Sequence, residues 1–231
     1  MKSDLPKVLF PAVGRPMIEY VLEALAAVSV KRTIVVVGYR GDLVREKLAH
    51  WPGVEFVEQT PQLGTGHAVM VCRPAIENHT GQILILTGDS PLVQPKTLQA
   101  MFDDFERTSP VCLMGTALKE NPTGLGRVVR DSEGKFKAIV EEKDATPEER
   151  AVKEVNMSYY LFDSRELWHA LGQVKNNNKQ GEYYITDCPG ILKAEGKDVR
   201  ALCALQPCET LSINTVDELA IVETELQKLR K

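Results

Sequence analysis

Residues 33–38 read Thr-Ile-Val-Val-Val-Gly, an unbroken run of β-branched residues that ends in glycine. Such a run is typical of a strand buried on both faces, because polar alternation is lost when helices cover both sides of a sheet. Alternating elements are predicted around it, with helices over 16–28, 42–50, 66–76 and 95–107 and strands over 54–59, 82–86 and 111–118. Strands separated by helices indicate parallel βαβ units, so we expect an open, doubly wound α/β sheet.

The second half of the chain has a more mixed pattern. Residues 127–130 and 136–142 predict an antiparallel hairpin around the turn residues 131–134. Further strands are predicted over 155–162 and 199–205, and further helices over 164–174, 184–194 and 215–231. Pro189 is expected to kink or break the second of these helices, because proline has no N–H to donate. We therefore predict one α/β domain over 1–231, with a mixed, mostly parallel sheet, helices on both faces and a small substrate-binding lobe.

Composition and charge argue against several functions. The net charge of −4 disfavours nonspecific binding to nucleic acid, which requires a basic face. No apolar run reaches the roughly 18–20 residues of a membrane span, so neither a nucleic acid nor a membrane is an expected partner. The five cysteines are scattered along a chain too long to need disulfides, so we expect free thiols in a cytoplasmic protein. The sequence indicates no oligomeric state.

The loops that follow apolar strands are the first candidates for a site, because open α/β sheets bind ligands at the carboxyl ends of their strands. Residues 59–68 contain Gly64 and Gly66 on either side of Thr65, and glycines allow a backbone to approach a flat ligand closely. The alternative interpretation is an ordinary turn from a strand into a helix. Taken alone, this loop fits both interpretations.

Two charged residues near such loops suit a phosphate ligand. Asp89 follows the apolar run 83–86, and a carboxylate at such a point either caps a turn or binds a cation. Mg²⁺ becomes the better interpretation when phosphates are present, because this ion is usually held by one or two carboxylates and substrate oxygens. Lys7 precedes an apolar segment and could neutralise a phosphate, although taken alone it is an ordinary surface lysine.

Polar residues in the second half suit a sugar. Glu141 ends the hairpin strand, Asn156 lies in a strand otherwise rich in apolar residues, and Asn214 precedes the last helix. The loops 121–127 and 176–184 are polar and contain glycine. Carboxylates and amides without a charged neighbour suit sugar hydroxyls and amides, whereas the alternative interpretation is capping and turn chemistry.

Several of these segments occur together, in one order and spacing, in a known family. The segments are 2–9 (Lys-Ser-Asp-Leu-Pro-Lys-Val-Leu), 62–68 (Gln-Leu-Gly-Thr-Gly-His-Ala), 88–92 (Gly-Asp-Ser-Pro-Leu), 122–127 (Pro-Thr-Gly-Leu-Gly-Arg), 140–145 (Val-Glu-Glu-Lys-Asp-Ala), 154–156 (Glu-Val-Asn) and 176–187. On these motifs the chain resembles, over nearly its whole length, the uridylyltransferase domain of bacterial N-acetylglucosamine-1-phosphate uridylyltransferases. These are members of the sugar nucleotidyltransferase family.

The resemblance implies a Rossmann-like nucleotidyltransferase fold and a reaction. In the family, UTP and N-acetylglucosamine 1-phosphate give UDP-N-acetylglucosamine and pyrophosphate, with Mg²⁺ as the cofactor. The sugar phosphate attacks the α-phosphorus in line, so no protein nucleophile is expected. Catalysis then rests on positioning and on neutralisation of charge.

The resemblance also implies roles for residues of this chain. Lys7 and Asp89 are the expected catalytic residues, with Lys7 on a phosphate and with Asp89 and Asn214 as ligands of Mg²⁺. The expected substrate-binding residues are Gln59, Gln62, Gly64 and Thr65 in the uracil segment, Gly88 beside Asp89, Gly126, Glu141 and Asn156 around the amino sugar and ribose, and Tyr184 and Thr186 in the sugar pocket.

The chain also departs from the family pattern. We expect it to lack the first strand and the glycine-rich turn that binds the triphosphate, and also the β-helix acetyltransferase domain. Phe10 stands in place of a histidine, and Met157-Ser158 in place of threonine-glycine. These changes leave open a related enzyme that uses another sugar or base. A noncatalytic relative that binds a UDP-sugar is the second alternative.

Overall fold

The computed structural model describes residues 4–213 and 215–229. The strands in these ranges are β1 (Pro11–Ala12), β2 (Arg15–Pro16), β3 (Thr33–Val37), β4 (Val54–Glu58), β5 (Gln82–Ile85), β6 (Cys112–Leu118), β7 (Gly126–Arg130), β8 (Phe136–Val140), β9 (Glu154–Asp163) and β10 (Val199–Cys203). The helices are α1 (Met17–Ala27), α2 (Gly41–Leu48), α3 (Thr65–Met70), α4 (Arg73–Ile76), α5 (Pro95–Thr108), α6 (Pro147–Arg150), α7 (Ser164–Leu171), α8 (Asp187–Ala194) and α9 (Val216–Leu229). None of the helices in these ranges has both the length and the apolar composition of a transmembrane span.

Strand β9 is the centre of the largest sheet. The strand order is β10-β6-β9-β7-β8, and β5 also pairs with β9. One edge of β9 pairs with β6 along its length. The other edge is shared, because the ladder with β5 stops where Tyr160 faces Ile85 and the ladder with β7 begins where Asn156 faces Gly126. We call this point, defined by these four residues, the β9 junction.

The strand directions confirm the predicted mixed α/β class. Strands β5, β6, β7 and β10 point the same way, whereas β8 and β9 point the opposite way. Because β9 lies between strands of the main direction, the neighbours in this sheet are antiparallel except for β10 and β6. Strands β3 and β4 pair in parallel in a separate two-stranded sheet.

Prolines explain two differences from the predicted helices. The helix expected over 66–76 is divided into α3 and α4, and α3 ends at Met70 because Pro74 has no N–H to donate to the carbonyl of that residue. The helix expected over 184–194 begins instead at Asp187. Pro189 therefore lies in its first turn, where no intrahelical N–H is needed, and the expected kink was wrong.

The two faces of β9 carry two hydrophobic cores. Tyr160 and Phe162 pack into one core with residues of α7 and α8. Tyr159 and Leu161 point to the opposite face and pack into the other core with residues of α1 and α5. Burial of each such side chain contributes roughly 1.5–3 kcal/mol, so β9 is anchored from both sides. The five cysteines are free as expected, and three of them, Cys72, Cys112 and Cys188, are buried.

Candidate active site

Residues 59–66, which the resemblance assigns to uracil and which we call the uracil-type loop, follow the carboxyl end of β4. The side-chain amide of Gln59 holds this loop in place. Gln59 is only 8% exposed, and its Nε2 donates a hydrogen bond to the carbonyl oxygen of Gly64 at 2.9 Å. The same Nε2 lies 3.1 Å from Nδ1 of His67, which accepts in one tautomer. Gln59 therefore holds the loop from within, and its NH₂ group is already committed to protein partners.

Glycine is required at position 64 of this loop. Its φ of +105° lies in a region that side chains rarely adopt, and a Cβ there would be 2.7 Å from the carbonyl oxygen of Tyr183. Gln62 lies over a second glycine, because a Cβ at Gly38 would come within 2.2 Å of its Nε2. Sequence reasoning missed Gly38, although a glycine directly after the buried run of β3 was a usable signal.

Three hydrogen bonds join the uracil-type loop to residues 183–185, which belong to the segment that the resemblance assigns to the sugar pocket. The backbone N–H of Tyr183 donates to the carbonyl oxygen of Leu63 at 2.8 Å, and that of Gly66 donates to the carbonyl oxygen of Tyr183 at 2.7 Å. The N–H of Ile185 donates to the hydroxyl of Thr65 at 3.1 Å, across 120 residues of sequence. Segments 63–66 and 183–185, which the sequence associates with different parts of a ligand, therefore form one surface.

Lys7 and Asp89 form an ion pair. Nζ of Lys7 lies 2.7 Å from Oδ2 of Asp89, and both side chains are partly exposed. The Asp89 loop packs on the segment of Lys7, since a Cβ at Gly88 would be 3.3 Å from Val8. The two expected catalytic residues are thus brought together.

The described residues of this region offer one carboxylate for Mg²⁺. Asp89 offers a carboxylate that already faces a cation, and one carboxylate together with substrate oxygens is a common arrangement for Mg²⁺. Within residues 4–213 and 215–229, no cluster of three or more histidine, cysteine, aspartate or glutamate side chains could hold a metal. Asn214, the second expected ligand, lies outside the described residues.

Two residues that the resemblance assigns to the sugar, Gly126 and Asn156, belong to the β9 junction, and a third, Glu141, lies beside Gly126. A Cβ at Gly126 would be 3.5 Å from each carboxylate oxygen of Glu141, so the absent side chain leaves the carboxylate accessible. Burial raises the pKa of Glu141, the hydrogen bond from the Thr186 hydroxyl opposes this, and the charges of Asp144 and Asp187 raise it further. A carboxylate with so little solvation is a strong hydrogen-bond acceptor for a hydroxyl group.

Asn156 and Tyr184 are both buried and both already hydrogen-bonded. Nδ2 of Asn156 donates to the hydroxyl of Tyr160 at 2.6 Å, and its Oδ1 accepts from the N–H of Ser158 at 3.2 Å. The Tyr184 hydroxyl accepts from Nε2 of Gln180 at 2.6 Å. Burial raises the pKa of Tyr184, so this hydroxyl is protonated at neutral pH.

Two further groups that the sequence did not single out support the site. Nζ of Lys143 donates to Oε1 of Gln180 at 2.5 Å, which ties the loop after Glu141 to the polar loop 176–184. The buried guanidinium of Arg127 pairs with Glu142 at 2.6 Å and holds the strand end that carries Gly126. Arg127 lay within a quoted motif, but its burial depends on contacts that periodicity does not reveal.

The fold and this arrangement define a class of protein. The chain belongs to the nucleotidyl transferase family, which matches residues 2–207. Relatives named bifunctional protein GlmU from Streptococcus gordonii and Brevibacillus brevis are each 42% identical to it over 228 residues, or 99% of the chain. A third, from Geobacillus thermodenitrificans, is 42% identical over 225 residues, or 97% of the chain. The match covers 49% of the first two relatives and 48% of the third, so the chain spans about half their length. The family resemblance inferred from the motifs is therefore confirmed.

Solved structures show the same fold. A UDP-glucose pyrophosphorylase complexed with UDP-glucose superposes with a TM-score of 0.76 at 16% identity, over 98% of this chain and 92% of that one. HddC from Yersinia pseudotuberculosis superposes with a TM-score of 0.71 at 15% identity, with the same coverage of both chains. Similarity at this level of identity establishes the architecture alone.

Proposed function

We propose that this protein transfers a uridylyl group from UTP to N-acetylglucosamine 1-phosphate, which gives UDP-N-acetylglucosamine and pyrophosphate. The observation that carries the proposal is the hydrogen-bonded surface formed by segments 63–66 and 183–185. It joins a glycine loop suited to a flat base to the pocket of Glu141, Asn156 and Thr186, which is suited to a sugar. The identity to relatives named GlmU supports the choice of substrates.

The sugar is held by groups that differ in chemistry. The poorly solvated carboxylate of Glu141 accepts hydrogen bonds from sugar hydroxyls, and Gly126 leaves room for the ring beside it. Asn156 offers a second amide hydrogen and a second carbonyl lone pair, which suit a sugar hydroxyl or the carbonyl of an acetamido group. The hydroxyl of Thr186 is hydrogen-bonded to Glu141 and that of Tyr184 to Gln180, so the two residues hold these side chains in place.

The chemistry needs no nucleophile from the protein. The attacking oxygen belongs to the sugar phosphate, which is largely ionised at neutral pH because its second pKa is about 6. The protein contributes alignment of this oxygen with the α-phosphorus and positive charge near the phosphates. Lys7 supplies that charge as a point cation.

Asp89, together with Asn214, would hold Mg²⁺ in this proposal. When bound, the ion neutralises negative charge on the phosphate oxygens. Lys7 would then exchange Asp89 for a phosphate oxygen, a partner of the same charge sign. We also place the protein in the cytoplasm, which is supported by its five free cysteines.

Release of pyrophosphate tests the proposal directly. The chain is incubated with Mg²⁺, a nucleoside triphosphate and a sugar 1-phosphate, and the combination of UTP with N-acetylglucosamine 1-phosphate is expected to be the fastest. A preference for glucose 1-phosphate or for another base would contradict the assignment and favour a related transferase. Binding of UDP-N-acetylglucosamine without turnover would contradict it in favour of a noncatalytic binding protein.

A further inference from the structure

Glu209 carries a carboxylate that is only 2% exposed and lies outside the segments assigned to the ligands. Its Oε1 accepts hydrogen bonds from the backbone N–H of Gln94 at 3.0 Å and from the hydroxyl of Tyr159 at 3.2 Å. Its Oε2 accepts from the hydroxyl of Thr97 at 2.6 Å and from the backbone N–H of Gln206 at 2.8 Å. A carboxylate has roughly four acceptor sites, so these donors leave it no capacity for a ligand or a metal. We call Glu209 and its donors the Glu209 network.

The donors of the Glu209 network come from parts of the chain that are distant in sequence. Gln94 and Thr97 lie at the start of α5, Tyr159 lies on β9, and Gln206 follows β10. A buried carboxylate destabilises the fold unless hydrogen bonds replace its lost hydration, and each partner left unpaired costs roughly 1–3 kcal/mol. Glu209 therefore fixes the start of α5 to the segment that follows β10.

The start of α5 is closely connected to the loop of Asp89. Asp89 and Gln94 are separated by one short turn. In this turn the N–H of Val93 donates to the carbonyl oxygen of Ser90 at 3.2 Å. Nε2 of Gln94 donates to the carbonyl oxygen of Leu92 at 2.8 Å. A displacement of the Gln94 backbone is therefore passed to Asp89 through hydrogen-bonded residues.

The segment that follows β10 leads to Asn214, the second expected metal ligand. Ile213, the residue before it, is fully buried and belongs to the same hydrophobic cluster as Leu92 of the Asp89 loop. The two segments that carry the expected ligands of Mg²⁺ are thus connected twice. The Glu209 network provides the polar connection, and the cluster of Leu92 and Ile213 provides the apolar one.

We propose that Glu209 is a positioning residue that sets the separation between the two segments on which Mg²⁺ would be held. It does not touch the metal, because its own oxygens are occupied. It keeps the Asp89 loop and the segment before Asn214 in one register, so less ordering is needed when the ion binds. The inference rests on the proposed function, because Asp89 and Asn214 are the metal ligands of that reaction.

The two oxygens of Glu209 make Glu209→Gln an informative variant. Each oxygen accepts from one backbone N–H, and a backbone N–H can only donate. Glutamine has the same shape, but its NH₂ group would oppose the N–H of either Gln94 or Gln206. One of the two segments is therefore released, whichever way the amide is turned.

Thr97→Val is a milder variant that has a close control. It removes the hydroxyl that donates to Glu209 at 2.6 Å, and Thr116→Val removes a hydroxyl that donates to Oε1 of Glu154, also at 2.6 Å. Both threonines are buried, with exposures of 2% and 0%. The two variants therefore lose the same kind of bond, but only the first belongs to the Glu209 network. Thr97→Ser keeps the hydroxyl and should restore the wild-type behaviour.

The test measures the dissociation constant of Mn²⁺, used as a probe for Mg²⁺, by electron paramagnetic resonance in the presence of UDP-N-acetylglucosamine. We expect Glu209→Gln to weaken Mn²⁺ binding by ~10–30-fold and Thr97→Val by ~3–10-fold, because part of the energy of a buried hydrogen bond is lost at the metal. Thr97→Ser and Thr116→Val should stay within about 2-fold of the wild type. The Mg²⁺ concentration for half-maximal turnover should rise in the same order.

Three outcomes would overturn the inference. The first is wild-type Mn²⁺ affinity in both Glu209→Gln and Thr97→Val. The second is an equal loss in Thr97→Val and Thr116→Val, which would indicate general destabilisation. The third is a further loss when Thr97→Val is added to Glu209→Gln, since Thr97 would then not act through Glu209. If Glu209→Gln does not fold, Thr97→Val and its two controls decide. A wild-type chain without Mg²⁺-dependent turnover would instead refute the proposed function itself.

Discussion

The ammonium group of Lys7 lies 2.7 Å from the carboxylate of Asp89, so the two residues expected to contact phosphate and metal neutralise each other. The side chains are 41% and 30% exposed, and a pair with such access to water contributes at most about 1 kcal/mol. The bond is therefore weak enough to be exchanged when ligands arrive. It nevertheless places a competitor where a divalent cation would bind.

Removal of this competitor should strengthen binding of metal while it weakens catalysis. For Lys7→Met we expect affinity for Mn²⁺, used as a probe for Mg²⁺, to rise by up to ~5-fold. Turnover should fall by ~100-fold or more, because a cation near the phosphates is lost. Electron paramagnetic resonance of Mn²⁺ and pyrophosphate release measure the two effects. Lys153→Met, which removes a comparable pair with Glu120 at 2.6 Å, is the control. Weaker Mn²⁺ binding by Lys7→Met would contradict the competition.

Asp89→Asn should keep the fold and lose most of the activity. The side chain is at the surface of its loop and packs in no core, so we expect the melting temperature to change little. Loss of the carboxylate should lower turnover by ~100–1,000-fold and weaken its dependence on the Mg²⁺ concentration. Steady-state rates over a Mg²⁺ titration, with circular dichroism for the fold, check this. Wild-type rates in this variant would remove Asp89 from the site.

Gly64→Ala should damage both stability and nucleotide binding. The new methyl group would meet the carbonyl of Tyr183, whereas Gly134→Ala, at φ +76°, would meet nothing within 4 Å. Both changes impose a positive φ on alanine, and Gly64, at φ +105° and ψ 177°, lies in a region that is almost confined to glycine. The difference between the two variants in urea denaturation therefore reports the clash together with this additional backbone strain. We expect Gly64→Ala to be the less stable variant by ~1–3 kcal/mol and to have a raised KM for UTP. Equal losses in both variants would show that the loop can move away.

Glu141 should make the protein less stable as the pH rises. Burial raises the pKa of its carboxyl above the ordinary value of 4.5, so the folded state holds the proton more tightly than the unfolded chain. The stability that this proton provides is present below pH 4.5 and is lost as the pH rises through the folded-state pKa.

Glu141→Gln removes this dependence, because its amide is neutral at every pH. Its gain in unfolding free energy over the wild type should therefore grow as the pH rises above 4.5. Its affinity for the sugar phosphate should fall at the same time. Urea denaturation across this range measures the first effect, with the exposed Glu106→Gln as the control. A gain that is constant with pH would contradict the assignment.

The local elements of the fold could be predicted, but the pairing in the sheet could not. Alternation of helices and strands is encoded in neighbouring residues, so most elements were found near their positions. The insertion of β9 between β5 and β6 depends on contacts between distant parts of the chain. It is the reason that neighbouring strands in this sheet are antiparallel there. Pro189 was misjudged because its effect depends on where the helix begins.

The candidate site shows the same division. Residues at strand ends, such as Asp89 and Glu141, could be selected because topology brings those ends together. Their partners could not be selected, since the bonds of Glu141 to Thr186 and of Asn156 to Tyr160 depend on side-chain geometry. The roles of these residues stay predictions until the variants are measured.

The three hydrogen bonds between segments 63–66 and 183–185 have a consequence for how ligand fragments bind. In the proposed reaction, a uridine nucleotide that restricts the first segment would also restrict the second, so much of the conformational entropy would be lost only once. A sugar phosphate would then bind a segment that is already restricted. The two ligands would therefore favour each other's binding without touching, which would be positive cooperativity carried by the backbone.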